Sequence, residues 1–190
     1  MMKGHCCRKY WIPVTHLDLY RLAMYENIDV YSVVDFKDAR IYDARGLYPP
    51  IKIGNGMYYL ALNDRDGAGC IFLDPSGRCR VHMHKPLVCR FYPFAYIVSE
   101  NGIYIDVNEN AIGECPGIVL DGKPVPPEIA EPMKRIAIAR IRELELWRNV
   151  IELWNNLVEP YMDFEDFIDY ALDVAEEHYK ILVKQGMWIP

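Results

Sequence analysis

Six cysteines, at positions 6, 7, 70, 79, 89 and 115, are the residues of this 190-residue chain best suited to chemistry. All six precede the proline-rich stretch Lys123-Pro124-Val125-Pro126-Pro127, and the chain beyond it has none. Three chemistries compete for them. Unpaired cysteines pack as small hydrophobes, yet several here stand beside turn residues and charges, as Cys79 does between Arg78 and Arg80 after Asp74-Pro75-Ser76-Gly77. Six cysteines could also pair into disulfides in any of 15 ways, but a reducing cytoplasm disfavours them. Thiolates on turns can instead converge on zinc or an iron–sulfur cluster. The run C-x8-C-x9-C-x25-C that starts at Cys70 is neither the C-x2-C pair of a zinc ribbon nor a ferredoxin run, so spacing alone does not name the metal.

Four thiolates around Zn2+, or around a 4Fe-4S core of charge +2, leave a net charge of −2, which nearby cations would offset. Arg78, Arg80, His82, His84, Lys85 and Arg90 concentrate in that stretch, although the whole chain has 21 Lys and Arg against 27 Asp and Glu and a net charge of −6. A solvated loop or an anion site would show the same charges, with no motif to favour the anion. His5, His82 and His84 could each replace a thiolate; with six cysteines present they are expected around the metal rather than on it. Arg80, His82 and Arg90 are the residues expected to surround the thiolates, and Arg90 could donate to sulfur and tune the centre.

Other chemistry is sparse. Gly54-Asn55-Gly56 is too short for a nucleotide loop, and there is no G-x-G-x-x-G, Walker lysine, H-E-x-x-H or G-x-S-x-G. The acidic net charge argues against nucleic acid and anionic membranes as partners. No apolar run approaches the length of a membrane span, and Met1 to His5 has one basic residue with no apolar run behind it. The expected location is therefore cytoplasmic, with no membrane partner.

The strings around the cysteines resemble a known family. Cys70-Ile-Phe-Leu-Asp74, Gly77-Arg-Cys79-Arg-Val-His82 and Lys85-Pro86-Leu-Val-Cys89-Arg90-Phe-Tyr-Pro93-Phe94 are similar to the C-x-F-L, C-x-I-Y and R-P-x-x-C-R-x-[FY]-P signature of the YkgJ-like cysteine-cluster family. Cys6-Cys7 with Ile12-Pro-Val-Thr15 and Asp18, and Cys115-Pro-Gly117-Ile118, extend the resemblance over about residues 4 to 118. Lys3 stands where the CxxCxxCC motif has a cysteine, His82 where C-x-I-Y has its aromatic, and Lys85 where R-P has its arginine. That family is described as zinc- or iron-chelating, and its motif is shared with flagellin lysine N-methylases. The resemblance implies one cysteine-ligated centre, a 4Fe-4S cluster or a single Zn2+. Its expected ligands are Cys70, Cys79, Cys89 and one or both of Cys6 and Cys7, with Cys7 as the first choice and Cys115 close by. Two functions follow as alternatives, an electron-transfer or redox-sensing protein and a zinc-stabilised interaction module. A component of a protein lysine methyltransferase is a third. Whether the chain is an enzyme, an iron–sulfur oxidoreductase or a methylase relative, stays open, as does the identity of any redox partner.

These cysteines need elements to position them. With 52% hydrophobic and 13% aromatic residues the chain can build one good core. Thr15 and Asp18 form a capping-box pattern that predicts a helix of about three turns after Pro13. Residues 27 to 56 read as loop with one helical turn, and Met57–Leu62 as a strand. Cys70–Leu73 and Cys79–His82 read as two short strands around the Asp74–Gly77 turn. Phe94–Ser99 and Ile103–Val107 flank Asn101-Gly102, a strong hairpin signal. Apolar residues at spacings of three and four then predict helices from Glu128 to about Leu157 and from Phe164 to Lys184, joined near Pro160. The expected class is α+β, with a small antiparallel sheet, cysteine-bearing loops, a capped N-terminal helix and a C-terminal amphipathic helical hairpin. The expected division is a cysteine-cluster domain at 1–122 and a helical extension at 123–190 packed on it, its outer faces offering a docking surface or a homodimer interface.

Overall fold

The computed structural model describes residues 4–44, 46–65, 67–118 and 120–190. It is an α+β fold. Among the described residues there are five α-helices, a three-stranded antiparallel sheet and a two-stranded one.

Thr15 caps α2 (His16–Glu26) as the sequence predicts. Its Oγ1 accepts from the Asp18 amide at 3.3 Å, and Asp18 Oδ2 accepts from the Thr15 amide at 3.1 Å. Two strands lie in the stretch read as loop. β1 (Val34–Asp38) and β2 (Ile51–Ile53) both pair with β3 (Gly56–Leu62), in the order β1-β3-β2. The register Val34↔Leu62 to Asp38↔Tyr58 occupies one edge of β3. On the other edge Ile51 faces Tyr58, and the bonds from the Val14 amide to Leu60 O and from the Leu62 amide to Ile12 O continue the pairing. Ile12–Val14 thereby ties the N-terminal cysteine segment to the sheet.

The second sheet is the predicted hairpin, β4 (Phe94–Ser99) with β5 (Gly102–Val107). Ser99 pairs with Gly102, so its turn is Glu100-Asn101, one residue earlier than expected; Gly102, at φ +118°, takes the backbone angle that an L side chain resists. The strands expected at 70–73 and 79–82 do not form. Only isolated bridges, Asp64↔Cys70 and Leu73↔Cys79, mark them, and the rest is turn. The single-residue approaches leave the thiols on loops.

Both predicted C-terminal helices are present, α4 (Pro127–Leu157) and α5 (Phe164–Lys184), the second capped by Asp163 and Asp166. No helix is long and apolar enough to cross a membrane among the described residues. Trp147, Ile151, Trp154 and Phe167 from the two helices share one core with Leu19 and Leu22 of α2, Leu60 and Leu62 of β3, and Cys70, Phe72 and Val81 of the cysteine-bearing loops. A smaller cluster packs β5 and Phe91 on the start of α4, and a third joins Leu17, Leu146, Ala175 and Leu182.

Candidate metal centre

Five short segments bring the cysteines together. Cys6 and Cys7 lie on the single turn of α1 (His5–Lys9). The Cys70 amide donates to Cys7 O at 2.7 Å, and the preceding Gly69 makes this approach feasible. Gly69 sits at φ +102°, and a Cβ there would lie 2.6 Å from Cys7 O. Cys79 follows the expected Asp74–Gly77 turn, in which Asp74 Oδ1 accepts from Ser76 Oγ at 2.7 Å and the Arg78 amide at 2.8 Å. Cys89 lies on α3 (Val88–Phe91), and the Cys115 amide donates to Ala111 O at 2.9 Å.

All six cysteines line one half-open cavity of about 610 Å3. Cys6 and Cys7 are in contact, their Sγ atoms 3.8 Å apart. Among the described residues no three His, Cys, Asp or Glu side chains form a preformed single-ion site. The donor set is six soft thiols around one cavity, the ligand type that zinc and iron–sulfur centres share.

The electrostatics show what metal must displace. Burial pushes the Cys70 thiol up to about 11 and raises Cys79, and it raises Cys89 well above the ordinary thiol value, with the Cys70 and Asp18 charges adding to the effect. Cys7 is raised by its hydrogen bond with Cys6 and then by burial. The same bond lowers Cys6 to about 6. Backbone amides two residues on, Phe72 and Val81, donate to Cys70 and Cys79 and favour their thiolates, and Lys85 lowers Cys6 and Cys79 in the same sense. Four of the thiols, Cys7, Cys70, Cys79 and Cys89, are therefore held protonated without metal, and a cation that binds them releases protons.

The basic residues divide into two groups. His82 and Lys85 line the cavity; burial and then the Lys85 charge lower the His82 pKa, which keeps the ring neutral at pH 7. Arg80 and Arg90 are engaged with backbone carbonyls. Arg80 Nη2 donates to Ile71 O at 2.8 Å, and Arg90 donates to Lys85 O at 3.3 Å, to Met83 O at 3.2 Å and to Pro190 O. Through these bonds they hold the loops that carry Cys70 and Cys89, and the Arg90 charge also acts on Cys89. His5 lines the cavity, whereas His84 bonds Glu26 at 2.7 Å and stacks on Tyr25. Two wall or support residues stood in the sequence only as parts of the family signature and the helix cap. Tyr92 lines the cavity with its Oη buried and unpartnered, and Asp18 reaches the Cys89 turn by accepting from the Leu87 amide at 3.0 Å.

Residues 3–116 match the family CxxCxxCC, described as a "putative zinc- or iron-chelating domain". No curated protein and no solved structure matches the chain.

Proposed function

The chain belongs to the CxxCxxCC family of zinc- or iron-chelating domains, and from that membership we propose that it carries one 4Fe-4S cluster and serves in electron transfer or redox sensing. Metal binding is the family's property; the cluster and its use are our reading. The observation that carries it is the placement of six thiols around one cavity of about 610 Å3, more donors and more room than one tetrahedral ion takes. A single ion takes about the space of one water, roughly 10–15 Å3 in such a cavity, and needs its four sulfurs at about 2.3 Å. A cluster distributes its ligands over the corners of a larger body.

Cys7, Cys70, Cys79 and Cys89 are the ligands in this reading, with Cys6 and Cys115 on the rim. A bound cluster would supply one-electron chemistry. The chain's own residues do the rest. The Phe72 and Val81 amides stabilise thiolate charge on Cys70 and Cys79, and Lys85 offsets the negative charge of the assembled site. Phe72 and Val81, both buried, close the inner wall against water. The reducing cytoplasm, where thiols stay free to ligate, suits such a protein.

Zinc is the second reading, favoured by the family description, which names zinc equally; the metal would then be structural and the function partner binding. Redox titration separates the two. Anaerobically purified protein should show a broad visible band that bleaches on reduction with dithionite and returns on oxidation, with a midpoint inside the roughly −700 to +450 mV span of such clusters. A metal-loaded protein with no redox response would overturn the cluster.

A further inference from the structure

A chain of buried charges runs from the helical half of the molecule to the cysteine cavity. Glu143, on α4, is 2% exposed and accepts from Arg21 Nη2 at 2.6 Å. Arg21, on α2, has no exposed surface and donates through Nη1 to Asp18 Oδ1 at 2.8 Å. Asp18 is 1% exposed, and the same Oδ1 accepts from the Leu87 amide at 3.0 Å. Two residues later comes Cys89.

The helix cap alone does not account for this arrangement. Asp18 Oδ2 already completes the capping box with Thr15, so the box leaves Oδ1 free for other partners. Oδ1 is used to hold a backbone amide 69 residues away, at the start of the one-turn helix that carries Cys89. A buried carboxylate is costly unless paired, and Arg21 provides the pairing. Arg21 in turn is fixed by Glu143, by Ile189 O at 2.8 Å from Nε, and by the Trp188 ring 4.5 Å from its guanidinium carbon. The carboxylate is thus over-determined from the helical side and delivers one hydrogen bond and one negative charge to the cysteine side.

We propose that Asp18 is a positioning residue for the metal centre: through the Leu87 amide it fixes the turn that presents Cys89, and its buried charge raises the electron density on the Cys89 sulfur. The inference rests on the reading of Cys89 as a ligand. Groups hydrogen-bonded behind metal ligands typically set affinity by 10- to 100-fold, and Asp18 acts one peptide removed from that position. Its influence passes to Glu143 only through Arg21, so a change at Glu143 should act in the same direction and less strongly.

The test uses cobalt(II) titrated anaerobically into the full-length metal-free chain, with the thiolate-to-cobalt charge-transfer band as readout. Asp18→Asn removes the charge and leaves one oxygen for the two amides that Asp18 now serves, Leu87 and Thr15, so either the Leu87 bond or the α2 capping box is lost with it. It should weaken cobalt binding by roughly 10- to 100-fold and move the band to shorter wavelength, because a less electron-rich sulfur gives up its electron less readily. Glu143→Gln, which still accepts from Arg21, should weaken binding by a smaller factor, and it keeps the test alive if Asp18→Asn does not fold. Asp163→Ala breaks the matching capping box of α5, far from the cysteines in sequence, and should lower stability while leaving both affinity and band unchanged. Wild-type affinity and band position in Asp18→Asn, or in Glu143→Gln if only that variant folds, would overturn the proposal, as would changes no larger than those of Asp163→Ala. Cys89→Ser separates this from the underlying reading: unchanged cobalt binding there would remove Cys89 from the ligand set. Lost binding there with wild-type behaviour in Asp18→Asn would sink the role of Asp18 alone.

Discussion

The helical half and the cysteine half of the molecule are held by different means. Around α2, α4 and α5 the interior is closed by large rings: Trp147 and Trp154 each meet Phe167 edge-on, at centroid distances of 6.0 and 5.1 Å, and Phe167 is fully buried. The Asp18–Arg21–Glu143 triad buried there is internally paired, and the buried Arg140 donates to Tyr48 Oη at 2.9 Å. The cysteine half has turns, isolated bridges and a one-turn helix, with five of its six thiols only half-buried around an open cavity. Apolar burial stabilises the first without assistance. The cysteine-bearing loops themselves form no ladder and meet the main core through Cys70, Phe72 and Val81, and a metal centre is what would close them, so metal-binding energy there is folding energy.

The sharpest way to break this contrast is to remove a thiol. Cys79→Ser or Cys89→Ser should abolish metal retention and cost an apparent stability of up to about 10 kcal/mol in the cysteine half. Hydrogen exchange should show protection lost across residues 70–90 and retained in α4 and α5; full metal content in both variants would contradict the assignment. On the helical side, Phe167→Ala should cost about 3–5 kcal/mol in denaturant unfolding, while the fraction that remains folded keeps its metal stoichiometry.

A smaller effect follows from Glu143. Burial pushes its carboxyl up to about 7, against the opposing pull of Arg21. The native state then binds a proton that the unfolded chain, with its ordinary carboxyl near 4.5, has released. The resulting stability is fully present below pH 4.5 and is lost as pH rises through 7, on the order of 3 kcal/mol. Urea unfolding of the wild type and Glu143→Gln across pH 4.5–8 should show this decline in the wild type only, and parallel curves would exclude it. The smallest change is Thr15→Ala, which removes the α2 cap and should lower stability by about 1 kcal/mol, read as a shift in the urea midpoint.

What the sequence revealed tracks how local each feature is. Capping at Thr15 and Asp18, the Asp74–Gly77 turn, the 94–107 hairpin and both long helices are written in neighbouring residues, and each is present. β1 left no signal because its alternation is inverted: Lys37 is the buried residue of Val34–Asp38, paired with Asp35 at 2.6 Å and Asp64 at 3.4 Å. β2 has only three residues, too few to show a period. The strands expected at Cys70 and Cys79 reduce to bridges because their residues turn back within a few positions to place the thiols. The cysteines that share the cavity were legible as a group from their types and neighbours. The supports were not, because Asp18 meets the Leu87 amide across 69 residues and Arg21 meets Glu143 across 122.

Metal and sulfide analysis of anaerobically purified protein, with its visible spectrum recorded on the same sample, tests the central claim most directly. The account predicts a brown protein with about four irons and about four acid-labile sulfides per chain. A colourless protein with about one zinc and no sulfide would contradict it.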